Sequence, residues 1–262
     1  MAPYFMPYFT SCHRAFRLGA IAVATALLAS VACAHNDVVP YSNGTKILTG
    51  GHDDLAGTTD ELLSVFGYDF GEDPNDPWVI GDPGFNNSSA FTTSFANAGA
   101  LPAGTLALSV FSGNYGSLHY WDGTGTSAAF SPVASGVEIN LNRLSSNLRI
   151  GGATVSGSLS IATISAAGRV HNHLQTSLGA GGSGGSFTTL GAADGIYAFG
   201  ATLSSGGLSS DPIYFVFNAG MSEAIHDVGI DFYATQTVPE PSCFALLTLG
   251  VAVLAFRRKR HR

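Results

Sequence analysis

The chain has only three cysteines, Cys12, Cys33 and Cys243, and all three lie in its terminal apolar segments. The stretch between them therefore has neither a disulfide nor a thiolate metal site, and a cysteine nucleophile is excluded. Basic residues are nearly as scarce there. From residue 35 to 238, Lys46, Arg143, Arg149 and Arg169 stand against 17 acidic side chains, a net charge of −13. So acidic a surface repels phosphate backbones, which argues against nucleic acid and in favour of cations or neutral partners. Also missing are a Gly-x-Ser-x-Gly elbow, a His-Glu-x-x-His helix and a P-loop, so no enzyme class has a motif behind it.

Both ends carry address signals. Arg14 and Arg17 precede an apolar stretch from Leu18 to Val31, and Ala32-Cys33-Ala34 supplies the small residues that signal peptidase needs. Residues 1–34 read as a secretory signal peptide, and cleavage would leave His35 first. Lipidation of Cys33 is a rival reading, but Ser30 stands where such sites carry an aliphatic residue. At the other end come Val238-Pro239-Glu240-Pro241, an apolar run from Cys243 to Phe256, and Arg257-Arg258-Lys259-Arg260-His261-Arg262. The run is 14 residues long, about 21 Å as a helix against a hydrocarbon core of roughly 30 Å, so it makes a minimal and temporary transmembrane anchor. The basic cluster belongs on the cytoplasmic side. This order resembles the PEP-CTERM sorting tail of bacterial exported proteins. The resemblance implies that an exosortase-type protease cuts near the motif and releases or re-attaches the protein at the cell surface or in the extracellular matrix. An ordinary tail anchor is the alternative. The chain thus divides into residues 1–34, a domain at 35–238 and a sorting signal at 239–262.

Within the domain, short runs of β-branched and aromatic residues recur between Gly, Ser, Asn and Pro clusters. Strands are expected at Thr45–Leu48, Leu106–Phe111, Gly136–Asn140, Leu148–Ile150, Ser158–Ser165, Arg169–Thr176, Gly195–Leu203 and Ile213–Asn218. The expected fold is all-β, a single antiparallel β-sandwich or jelly-roll-like domain. Gly179–Gly185 has no side chains to pack and reads as a flexible loop. One helix is expected, at about residues 223–233, with Ser222 as N-cap and Glu223 in its first turn. Ile225, Val228 and Phe232 would form its apolar face, with His226 at the rim.

Six histidines fall in this domain: His35, His52, His119, His171, His173 and His226. On a strand, His171 and His173 share a face and stand roughly 6–7 Å apart, close enough to converge on one ion. Neutral imidazole suits zinc, copper or nickel. The plainer reading is a pair of solvent-facing polar residues. His35, as a mature N-terminus, could offer amine and ring together, an arrangement that resembles the histidine brace of copper oxidative enzymes. The acidic stretch Asp69–Pro77 with Asp82 offers oxygen donors for calcium, or is simply a solvated loop. Tyr120 and Trp121, if exposed, could stack on exopolysaccharide.

Taken together, Thr49-Gly50-Gly51-His52-Asp53-Asp54, Phe66-Gly67-Tyr68-Asp69-Phe70-Gly71-Glu72-Asp73-Pro74, Asp82-Pro83-Gly84-Phe85-Asn86, the His171/His173 pair and Phe215-Val216-Phe217-Asn218 running into Ser222-Glu223-Ala224-Ile225-His226 resemble a family of PEP-CTERM surface proteins repressed by the zinc regulator Zur. That resemblance implies zinc capture or homeostasis outside the cell, without an established catalytic activity. The expected function is non-enzymatic binding of a divalent transition metal, zinc foremost, by His171 and His173 with help from His35, His52 or His226. A structural or adhesive matrix protein is the alternative, and a copper oxidase using His35 a third.

Overall fold

The computed structural model describes residues 36–237, apart from 54–56, 97, 112–113, 155 and 181–191. The described chain is mostly β, in three sheets. The first runs, strand by strand, β13 (His171–His173), β6 (Gly84–Asn86), β1 (Asn36–Ser42), β2 (Ile47–Asp53) and β3 (Thr58–Asp60). The second is β11 (Ser146–Gly151), β10 (Val137–Arg143), β14 (Gln175–Ala180) and β5 (Val79–Ile80). The largest follows β12 (Gly157–Ile164), β7 (Gly104–Val110), β15 (Gly195–Ser205), β17 (Ile213–Ala219) and β4 (Val65–Asp69), with β16 (Leu208–Ser209) and β8 (His119–Trp121) attached to β15 and β9 (Ser131–Pro132) paired with β8. A short α1 (Ser89–Thr92) and a longer α2 (Glu223–Thr237) complete it.

All three sheets feed one apolar core: Val38 and Phe85 from the first, Ile139 and Leu178 from the second, and Leu106, Phe199, Phe215 and Phe217 from the third. Each expected strand segment contains a strand, and the sheets are mainly antiparallel, with two parallel strand pairings. β1 touches β6 in parallel at Val38 and Phe85, and β17 pairs with β4 in parallel from Tyr214/Val65 to Asn218/Asp69. The β4–β17 register aligns aromatic side chains, with Phe66 and Phe215 centroids 6.0 Å apart and Tyr68 and Phe217 5.5 Å apart. Every residue of β17 is buried, as expected for a strand covered on both faces, here by the core and by α2. The segment Arg169–Thr176 is not one strand. His171–His173 joins the first sheet and Gln175–Ala180 the second, with buried Leu174 as the pivot.

The helix also departs from expectation. It continues four residues past Tyr233, to Thr237, the last residue described. Its inward face is His226, Gly229, Ile230 and Tyr233, with Val228 36% exposed and Ile225 and Phe232 only half-buried. His226 is therefore fully buried and not at the rim. The stripe is turned by one residue because its ring lies over Gly67 of β4, where a Cβ would meet Ile230 Cδ1 at 2.6 Å and His226 Cε1 at 3.1 Å. Gly229 opens the same interface from the helix side, since a Cβ there would meet Ile196 Cγ2 at 3.0 Å.

Candidate metal centres

The first cluster forms where β1, β6 and β13 lie side by side. His173 pairs with Gly84, and the parallel contact of Val38 with Phe85 sets Asp37 beside the same glycine. Asp82 arrives from the loop before β6, through a cis peptide to Pro83. One donor atom each from Asp37, Asp82 and His173 lies within 4.8 Å of the others, and His173 Nδ1 is 3.5 Å from Asp82 Oδ1. Ligands about 2.1 Å from a tetrahedral zinc lie about 3.4 Å from one another, so this pair already has the spacing an ion requires. A side chain at position 84 would displace the cluster, because a Cβ would stand 1.7 Å from Asp37 Oδ1 and 2.8 Å from His173 Cε1. Beneath the cluster, burial, and then the charges of Asp82 and Asp37, push the Tyr68 hydroxyl well above its ordinary pKa.

His171 and His173 both project outward, exposed, with ring centroids 5.6 Å apart, while Asn172 turns in and donates to the Ile161 carbonyl at 3.1 Å. The alternation read from the sequence thus describes the strand, but the donors that converge with His173 are two aspartates.

The second cluster lies under the start of α2. Asp69 ends β4, Glu223 opens the helix, and His226 sits one turn on. Donor atoms of the three lie within 4.8 Å of one another. His226 Nδ1 is 3.4 Å from Asp69 Oδ1 and 3.9 Å from Glu223 Oε2, and Nε2 is 3.2 Å from the Val216 carbonyl. Asn218 braces the site: its amide donates to Asp69 Oδ1 at 2.7 Å and to the Met221 carbonyl at 3.0 Å, and its oxygen accepts the Met221 N–H at 2.9 Å.

The remaining histidines are engaged elsewhere or not described. His52 stacks on Phe91 at 3.8 Å and pairs through Nδ1 with the Thr59 hydroxyl at 3.0 Å. His119 Nδ1 donates to the Ser117 carbonyl at 2.9 Å. His35, the signal peptide, and the sorting residues Val238, Pro239, Glu240 and Pro241 lie outside the described residues, as does most of the glycine-rich loop. Of the acidic residues read together from the sequence, Asp69 and Asp82 belong to two different clusters, while Asp73 accepts from the backbone and side chain of Asn75. Trp121 is 4% exposed, packs on Phe130 and donates to the Thr124 carbonyl, so it offers no sugar platform. A groove of about 600 Å³ between β2 and the start of β17 contains one charged pair, Lys46 with Asp211, and no histidine.

Sequence reasoning missed Asp37 and Glu223 as partners. Glu223-x-x-His226 was a visible signal, since residues three apart on a helix share a face and this spacing serves metals in helical bundles. Asp37 gave none, because only strand pairing brings it to Gly84.

Residues 237–260 match the PEP-CTERM protein-sorting motif. The motif marks an exported, surface-directed protein processed by an exosortase. No curated protein and no solved structure matches the chain. Among the described residues no helix is long and apolar enough to cross a membrane.

Proposed function

We propose that the protein is a non-enzymatic zinc-binding protein of the cell exterior, held briefly in the inner membrane by its C-terminal helix until exosortase acts. The observation that carries this reading is the approach of His173, Asp82 and Asp37 within 4.8 Å of one another over a glycine that leaves them room. Imidazole nitrogen with two carboxylates is a donor set for zinc, and His171 stands next to it as a further nitrogen. His173 and Asp82 side chains are 46% and 27% exposed, so an ion here exchanges with the medium, as capture requires. The resemblance to Zur-repressed surface proteins supports a place in zinc homeostasis. Copper and calcium are weaker candidates: copper through a terminal His35 depends on processing at residue 34, and calcium does not favour imidazole.

Equilibrium dialysis of the metal-stripped full-length chain against zinc tests the reading. We expect saturable binding and the loss of one zinc per chain in Asp82→Asn and in His173→Ala. Unchanged binding in both variants would rule out this site.

A further inference from the structure

We infer that Asp69, Glu223 and His226 form a second, buried transition-metal site, which fastens the helix leading into the sorting motif onto the large sheet. The ring's orientation carries the inference. Val216 offers His226 Nε2 only a carbonyl, an acceptor, so that nitrogen carries a hydrogen, and in the neutral ring Nδ1 presents a lone pair. His226 is fully buried, and Nδ1 has no hydrogen-bond partner; it faces carboxylate oxygens at 3.4 and 3.9 Å. A lone pair aimed at two anionic groups is repulsive until a cation lies between them. A metal-bound histidine commonly has its other nitrogen hydrogen-bonded to a carbonyl, as here.

Among the described residues, the lysine and the arginines have partners elsewhere. Lys46 pairs with Asp211, Arg149 with Glu138, Arg143 donates to the Ile161 carbonyl, and Arg169 to the Asn87 carbonyl and Thr92. The 3.4 Å gap matches the roughly 3.4 Å between two ligands of a tetrahedral zinc, and Glu223, 59% exposed, needs only a side-chain rotation to close the third position. One nitrogen and two carboxylates suit a first-row divalent ion such as zinc rather than calcium. The ligands come from β4 and from the start of α2, and α2 runs to Thr237, the last described residue, where the match to the sorting motif begins. Occupancy therefore locks the sheet to the segment that carries the sorting signal.

The site is independent of the one at Asp82, and hydrogen exchange separates them. Full-length protein is stripped of metal, and amide exchange across residues 223–237 is compared with and without zinc. In wild type and in Asp82→Asn, zinc should slow exchange of the helix by about tenfold or more. In Glu223→Gln, a near-isosteric change in a side chain that is 59% exposed, zinc should leave exchange unchanged while dialysis shows one ion fewer. Equal zinc protection in Glu223→Gln, or no zinc effect on the helix of wild type, would overturn the inference; in the second case a proton on Nδ1 fills the gap. If Asp82→Asn loses no zinc but Glu223→Gln does, the surface reading fails and this one stands.

Discussion

The two histidine–carboxylate clusters have the same donor types and nearly the same spacing, yet they differ in what holds them. At the sheet edge, His173 is nearly half exposed and Asp37 buried; under the helix, His226 is buried and Glu223 mostly exposed. The edge cluster is built by strand pairing and the loop that carries Asp82, and its exposed histidine lies outside the core. The helix cluster is part of the core packing, so its histidine supports the fold whether or not an ion is present. Similar ligand sets can thus serve exchange in one place and fastening in another, with burial of the imidazole deciding which.

Truncation should separate them most sharply. His226→Ala removes a fully buried ring and its hydrogen bond to the Val216 carbonyl, so we expect about 2–4 kcal/mol of lost stability in denaturant titration of metal-free protein. His173→Ala, at the exposed edge, should cost less than about 0.5 kcal/mol. Equal costs would mean that the edge strand carries more of the fold than its exposure suggests. Zinc itself comes next. At a hundredfold excess over its dissociation constant, each occupied site adds about 2.7 kcal/mol. In Glu223→Gln the gain from the buried site should vanish, and an undiminished gain would place the ion elsewhere.

Each cluster also rests on a glycine, which permits a matched pair of smaller perturbations. A Cβ at Gly67 presses on Ile230 and the His226 ring, so Gly67→Ala should cost about 1–3 kcal/mol by forcing α2 outward. Gly84→Ala displaces Asp37 instead, and should lower zinc affinity at the edge while leaving helix protection intact. If Gly84→Ala loosened the helix, the two clusters would not be independent.

Alkaline pH acts on both clusters at once through the shared framework. Burial, with Glu61 beside Tyr41 and Tyr120 beside Tyr197, pushes both hydroxyls up to about 12. The folded state holds these protons more tightly than the unfolded chain, so their contribution is complete below about pH 10 and is lost as pH rises through about 12. Phenolate absorbance should therefore develop together with unfolding in that window; ionisation of every tyrosine near pH 10 would contradict it.

Much of this arrangement was legible in the sequence because it is local. Alternation along β12 and the buried run of β17 specify strands, Ser222 and Glu223 mark a helix start, and His171 and His173 do share a face. What was illegible depends on contacts distant in sequence. The break at Leu174 depends on two sheets competing for one segment. The inward turn of His226 depends on Gly67, more than a hundred residues earlier. Asp37 becomes a candidate ligand only when β1 lies against β6.

The smallest expected effect concerns the residue that the sequence placed first. His171 lies on the same face as His173, with ring centroids 5.6 Å apart, but it is not one of the three donors that already converge. His171→Ala should then weaken zinc at the edge by about threefold or less, roughly 0.6 kcal/mol, in the dialysis measurement. A hundredfold loss would mean that the exposed ring swings in as a fourth ligand and closes the coordination shell. The edge would then be a tight store instead of an exchange site, and it would resemble the helix cluster more closely than its exposure implies. Only the edge cluster has a neighbouring imidazole to make that change, because Glu223-x-x-His226 is followed on the helix by Gly229 and Ile230, which carry no donor side chain.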